Sequence, residues 1–270
     1  MRRKRSVCAR RSLLAALVLL APVGCGKDEA GRPAGEVVLY AAASLGRSCD
    51  ALARAFEKEH PSVRVVTSFG ASGALARQLV AAPRADVFVS ANDEYMTEVE
   101  RSGRVVPGTR RALLENQLVA VVARSSALAA STPAALAELP FRRLFVADPD
   151  QVPAGKYAKS WLSSQQLGAS NVWDALAAKR VPVADVRAAL AQAEASSDAI
   201  AIVYRTDALS SDRVKVLFER KETAGIPIRY PVARIARPDA SAWSQAFYEF
   251  LLGPAARAEF RAAGFRVIGD

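Results

Sequence analysis

Apolar positions in this chain switch between two periods. From Glu36 onward, short apolar runs alternate with stretches in which apolar residues recur at three- and four-residue spacing. That alternation is the mark of strands interleaved with helices. Val37 to Ala41, Val63 to Phe69 and Asp86 to Ser90 read as strands. Between and after them lie helical patterns: one carrying Leu52, Ala55 and Phe56, one over Ala74 to Ala81, and one from Asp93 with Tyr95, Met96 and Val99 on a single face. Gly103 supplies a C-terminal stop for the last of these.

The pattern continues past the turn-forming Pro107-Gly108. Strands are expected at Gln117 to Ala123, Leu144 to Ala147, Ala199 to Tyr204, Val214 to Phe218 and Ile228 to Ile235. Pro231 places the last of them at an edge or a bulge. Helices are expected over Gly155 to Leu167, Val172 to Lys179, Asp185 to Ala195, Ala240 to Leu252 and Pro254 to Ala263. Alternating units of this kind predict α/β architecture with a mostly parallel sheet covered by helices.

Composition changes the picture mainly at the N-terminus. The chain has 270 residues, 51% apolar, and a formal charge of +10. Six basic residues, Arg2, Arg3, Lys4, Arg5, Arg10 and Arg11, lie within the first eleven positions, and setting them aside leaves 31 basic against 27 acidic groups. The basic surface expected of a nucleic-acid binder therefore largely disappears. Those residues open a cationic stretch followed by Leu13 to Pro22 and then Val23-Gly24-Cys25. This is the plan of an export signal over residues 1–24. Its apolar run is about ten residues, whereas a spanning helix needs roughly 20. A small residue directly before Cys25 points to lipidation there. Residues 25–35, polar and rich in Gly and Pro, have the composition of a flexible tether. Cys8 falls in the signal, so Cys49 is the single cysteine of the body and no intrachain disulfide is expected. It reads as a small buried residue at a helix start.

The candidate chemistry lies at strand-to-helix turns. Ser44 follows the first strand, and Ser72 holds the same station after the second, in Gly70-Ala71-Ser72-Gly73. Each can be an ordinary helix N-cap. Two at equivalent turns also suit an anion site, because ligands of open α/β sheets sit at the carboxyl ends of strands, where helix N-termini offer amide donors. Gly70 to Ala74 approximates the nucleophile elbow of serine hydrolases, with Ala74 replacing the final glycine. The single histidine, His60, precedes Ser72, whereas that family orders its triad serine, acid, histidine. A zinc site lacks ligands for the same reason, and no phosphate-binding glycine loop is present. Val186, after the candidate cap Asp185, and Ala154, before a helix, offer first-turn amides. Tyr204, at a strand end, reads equally as core or as a hydroxyl donor.

Several segments carry a resemblance. Ala41 to Leu45, Ser72 to Gln78, Ala85 to Ala91, Asp148 to Lys159, Asp185 to Arg187 and Ile202 to Tyr204 are together similar to the periplasmic molybdate-binding proteins of ABC transporters, in order and over nearly all of the body. The resemblance implies a type II periplasmic-binding-protein fold, with two α/β lobes around a ligand cleft joined by two crossing segments. It places one lobe in residues 36–115 and 225–270 and the other in 116–224. It implies an oxyanion held by the hydroxyls of Ser44, Ser72 and Tyr204 and the amides of Ala154 and Val186, with no side chain ligating the metal atom. Departures from the family pattern, Gly46 to Cys49 and Gly70, are peripheral to those positions. The function implied is periplasmic capture of molybdate, and of tungstate with it, for an ABC importer. The chain is then no enzyme, carries no cofactor, binds no nucleic acid, works as a monomer, and has as partners the anion, a membrane permease and, through Cys25, the membrane. Other tetrahedral anions such as sulfate, and a serine hydrolase built on Ser72, are the rival readings.

Overall fold

The computed structural model describes residues 35–220 and 227–269. The expected export signal, the tether as far as residue 34, and Cys8 and Cys25 lie outside the described residues. The first strand, β1 (Gly35–Ala42), buries Val37, Leu39 and Ala41 on one face, the two-residue alternation of a half-covered strand. A turn of 3-10 helix at Ala43–Leu45 leads into α1 (Gly46–Glu59), which buries Cys49, Leu52, Ala53 and Phe56. β2 (Val63–Gly70), α2 (Ser72–Ala81), β3 (Val87–Val89) and α3 (Asp93–Arg101) complete two more strand-helix units. Gly103, with φ 72°, terminates α3 as its sequence position predicts.

β4 (Arg111–Asn116) and β5 (Leu118–Ala123) are separated only by Gln117, yet they belong to different sheets. The chain then runs through β6 (Arg143–Ala147), α4 (Pro153–Ser163), a small hairpin of β7 (Gln166–Leu167) and β8 (Ser170–Asn171), and the single turn α5 (Val172–Ala175). β9 (Arg180–Val183), α6 (Val186–Ala195), β10 (Ala199–Tyr204), α7 (Arg205–Leu209) and β11 (Val214–Glu219) follow. After residues 221–226, β12 (Ile228–Arg234) rejoins the first sheet, and α8 (Ser244–Leu252), α9 (Pro254–Ala262) and β13 (Arg266–Val267) close the described chain.

Six strands form one sheet in the order β13-β4-β12-β3-β1-β2, and five form the other in the order β11-β5-β10-β6-β9. The expected mostly parallel sheet is corrected here. The trios β2-β1-β3 and β10-β6-β9 are parallel, whereas β4, β5, β11, β12 and β13 pair antiparallel to their neighbours. The antiparallel strands include the two that flank each passage of the chain from one sheet to the other, β4 to β5 and β11 to β12. β12 lies inside its sheet and accommodates Pro231 through a register shift between Tyr230 and Pro231.

β5 and β10 are buried along their whole length, as central strands covered on both faces should be. Among the described residues, no helix is long and apolar enough to cross a membrane.

Candidate functional site

The two parallel trios aim their carboxyl ends at one small cavity. Ala42, Ala43 and Ser44 after β1, Gly70 to Ser72 after β2, and Ala91 after β3 form one wall. Val152 and Pro153 after β6, Asp185 and Val186 after β9, and Tyr204 at the end of β10 form the other. The cavity is small, about 220 Å³ including the open space at its mouth. That suits one compact guest a few atoms across and excludes a sugar or a peptide. A larger groove of about 1440 Å³ lies alongside, with Arg47, Arg187 and Asp207 in its lining, and shares Ser44 with the cavity.

Neither serine caps its helix. Ser72 is the first residue of α2, after Ala71, and its buried Oγ accepts a hydrogen bond from the Ala91 amide at 3.0 Å. With one lone pair taken by a backbone donor, the Ser72 proton is left to point elsewhere. Ser44 sits in the 3-10 turn, and its Oγ lies 3.1 Å from the Tyr230 hydroxyl. The capping explanation, adequate for a lone serine at either turn, therefore fails for both.

Asp185 is a true N-cap: its carboxylate accepts from the Ala188 amide at 2.9 Å. Val186 is then the first residue of α6 and its amide has no acceptor inside the helix. In α4 the first helical residue is Pro153, which has no N–H, so Ala154 supplies the first available amide. Ala154 is buried just behind the Val152 and Pro153 wall and does not itself line the cavity. Gly155 lets this helix start against β6, since a Cβ there would stand 2.0 Å from the Ala147 carbonyl oxygen.

Tyr204 is 1% exposed, and among the described residues its hydroxyl has no hydrogen-bond partner. Burial, with Tyr230 and Tyr157 nearby, pushes its ionisation well above the usual tyrosine value, so it remains a neutral O–H donor. The Tyr204 amide donates to the Asp207 carboxylate at 3.2 Å. Burial of Asp207 raises its carboxyl to about 7 despite that bond.

Four of the five expected site residues, Ser44, Ser72, Val186 and Tyr204, thus line the cavity together, with Ala154 adjacent. Sequence reasoning missed Tyr230, Asn116 and Asp207. Tyr230 stands before Pro231 in an apolar strand and Asn116 ends a strand with few apolar residues, so neither carries a local chemical signal. His60 caps the C-terminus of α1 with its ring 4.5 Å from that of Phe56 and 5.1 Å from that of Trp243. No histidine lines the cavity, which removes the base that a hydrolase reading of Ser72 needs.

Contacts bridge the walls beyond the cavity. The Gly73 amide donates to the Gln151 carbonyl at 3.2 Å, Tyr95 Oη to the Asp150 carbonyl at 3.2 Å, and Arg77 to the Gln151 side chain at 2.7 Å. On the other flank Arg47 donates to the Ser210 carbonyl at 2.7 Å, and the Arg187 guanidinium lies where a side chain at Gly46 would be. The departure at Gly46 thus makes room for a cross-cleft arginine.

The model of the family described as bacterial extracellular solute-binding protein matches residues 37–266. The chain is 39% identical to the molybdate-binding protein ModA of Escherichia coli, over 86% of this chain and 90% of that protein. It is 29% identical to the putative ABC transporter substrate-binding lipoprotein YvgL of Bacillus subtilis, over 93% and 95%. The solved periplasmic molybdate-binding protein of Azotobacter vinelandii superposes with a TM-score of 0.74 at 22% identity, covering 85% of this chain and 98% of that one. The architecture is the type II periplasmic-binding-protein fold, and the chain belongs to the bacterial extracellular solute-binding proteins.

Proposed function

We propose that the protein captures molybdate outside the inner membrane and presents it to the permease of an ABC importer. The observation that carries this reading is the convergence of Ser44, Ser72, Val186 and Tyr204 on one cavity of about 220 Å³ that no arginine, lysine or histidine lines. Molybdate at neutral pH is a fully deprotonated dianion, so each oxygen accepts and none donates. Hydroxyls and first-turn amides with their N-terminal helix dipoles satisfy it without a counter-ion. Tungstate has the same charge and nearly the same size and binds through the same contacts. Sulfate is smaller and leaves donors out of reach. Relatives named for molybdate binding support the choice among these anions.

Binding is completed by closure. The two sheets hinge at Gln117, where the chain passes from one to the other, and the Gly73–Gln151 and Arg47–Ser210 contacts hold the closed form that the permease recognises. No covalent step is needed, and the chain acts as a monomeric carrier with no cofactor. Cys25 anchors it to the membrane by a lipid, and residues 26–35 serve as the tether; the export pattern before Cys25 and the lipoprotein name of the Bacillus relative support this.

Calorimetric titration with molybdate, tungstate, sulfate and phosphate tests the function. The first two are expected to bind tightly and the last two weakly. Ser44→Ala and Ser72→Ala should each weaken molybdate binding by about 1 to 3 kcal/mol, the loss of a buried hydrogen bond to charge. Wild-type affinity in both variants would remove these serines from the site.

A further inference from the structure

Gly46 is a glycine that its own backbone does not require. It opens α1 at φ −54° and ψ −46°, an ordinary helical conformation that alanine adopts at a smaller entropic cost. What a side chain there would meet is a single group. A Cβ on Gly46 would stand 2.3 Å from Nη2, 2.7 Å from Cζ and 2.8 Å from Nη1 of Arg187. The three nearest atoms belong to one guanidinium, and the buried glycine is the seat on which it rests.

Arg187 reaches that seat from the opposite wall. It is the second residue of α6, which follows β9 of the second sheet. Gly46 begins α1, and Phe69, whose ring centre lies 6.0 Å from the guanidinium carbon, belongs to β2 of the first sheet. The contact stands beside ligand donors of both walls. Val186 directly precedes Arg187, and Ser44 lies two residues before Gly46. On its outer side is the groove of about 1440 Å³, which Arg187 lines and which shares Ser44 with the cavity. The two flanks of the cleft are tied by different means. Where Gly73 meets Gln151 and Tyr95 meets Asp150, the ties end on carbonyls of one loop. On the Gly46 flank they are two arginine side chains, Arg47 on the Ser210 carbonyl and Arg187 on Gly46.

We infer that Arg187 is a positioning residue for retention of the anion: seated on Gly46, it ties the two walls on the groove side of the cavity and sets the rate at which the bound anion is released. The contact forms only when the walls are together, so it stabilises the closed, liganded form over the open one. Its loss speeds release and leaves association nearly unchanged, the usual way in which affinity differs among variants of one interface. The inference rests on the reading of the cavity between Ser44 and Val186 as the anion site.

Isotope-labelled molybdate bound to the full chain is chased with excess unlabelled molybdate to give the release rate. Calorimetry gives Kd, and the two together give the association rate. Gly46→Ala keeps the charge and unseats the guanidinium, whose flexible stem swings aside at little cost to the fold. Release should quicken about three- to tenfold, the size of one lost polar contact, with Kd raised by the same factor and unliganded thermal stability unchanged. Arg187→Gln removes the guanidinium itself and should quicken release at least as much. The double variant should release no faster than Arg187→Gln, because Gly46→Ala then has nothing left to displace. Arg187 is exposed, so Arg187→Gln decides alone should Gly46→Ala lose thermal stability.

Release at the wild-type rate from both single variants overturns the inference. So do single effects that multiply in the double variant, since Gly46→Ala would then disturb the site without Arg187. Association and release quickened equally, with Kd unmoved, overturn it as well, because a tie between the walls must shift the equilibrium. Ser44→Ala separates the two levels. If it weakens molybdate binding while both single variants release at the wild-type rate, the Arg187 inference alone fails; if it leaves molybdate affinity intact, the site assignment fails and the inference with it.

Discussion

Gly73→Ala separates ligand affinity from stability. Gly73 is the second residue of α2 and does not line the cavity. It stands where α2 meets the Asp148 to Val152 loop of the opposite wall, and its amide donates to the Gln151 carbonyl. A Cβ there would lie 2.5 Å from the Gln151 carbonyl oxygen and 2.7 Å from the Tyr95 ring, far inside the 3.4 Å at which ordinary contact begins. Both obstacles are stiff, one backbone and the other a buried ring whose hydroxyl is tied to the Asp150 carbonyl. Relieving the clash means moving the loop away, which strains the packing by about 1–3 kcal/mol and loses a hydrogen bond worth about 0.5–1.5 kcal/mol. These costs exist only when the walls are together.

An open, unliganded molecule escapes the cost and gains up to about 1 kcal/mol from alanine in a helix. The expected result is molybdate affinity lower by about 2–4 kcal/mol, or roughly 30- to 1,000-fold in Kd, with unliganded thermal stability unchanged or slightly raised. Calorimetry gives the first quantity and unfolding scans with and without molybdate the second. Affinity within about threefold of wild type would mean that the walls never separate and rejoin in binding. An unliganded stability loss as large as the affinity loss would mean that the contact holds in both states.

Two further outcomes follow from buried titratable groups. Burial raises the Asp207 carboxyl from 3.8 to about 7, so the folded state holds its proton more tightly than the unfolded chain does. The stability this contributes is complete below about pH 4, is lost as pH rises to about 7, and is flat above. The loss amounts to about 4 kcal/mol at most by the usual conversion of pKa shift to free energy. Urea unfolding across that range should show Asp207→Asn gaining on the wild type as pH rises, and a constant difference would refute the assignment. Cys49 is fully buried, and burial, reinforced by Asp50 and Glu259, pushes its thiol up to about 12. Peptide mapping after treatment with a thiol reagent should find Cys49 unmodified in the native protein and modified in denaturant; full native labelling would contradict the burial.

Legibility in the sequence followed the range over which each feature is determined. β10 lies where its apolar run predicts, Ala199–Tyr204, because a central strand is apolar in every residue and its own composition specifies it. β4, Arg-Ala-Leu-Leu-Glu-Asn, was missed: its order comes from the pairing of Leu114 and Glu115 with β12 and β13, more than a hundred residues away. β9 was missed because Pro182 argues against a strand, and it is tolerated because β9 is an edge. The helix expected to reach Leu167 stops at Ser163, and Gly168, at φ 60°, turns the hairpin that follows.

The site divides in the same way. Its positions were legible, since Ser44, Ser72, Ala154 and Val186 sit at strand-to-helix turns whose geometry is local. The orientation of its hydroxyls was not. The partner of Ser72 is an amide 19 residues on, and that of Ser44 is a tyrosine 186 residues on, itself held by an asparagine on another strand. A serine at such a turn has the same local sequence whether its proton faces solvent, a helix amide or a ligand.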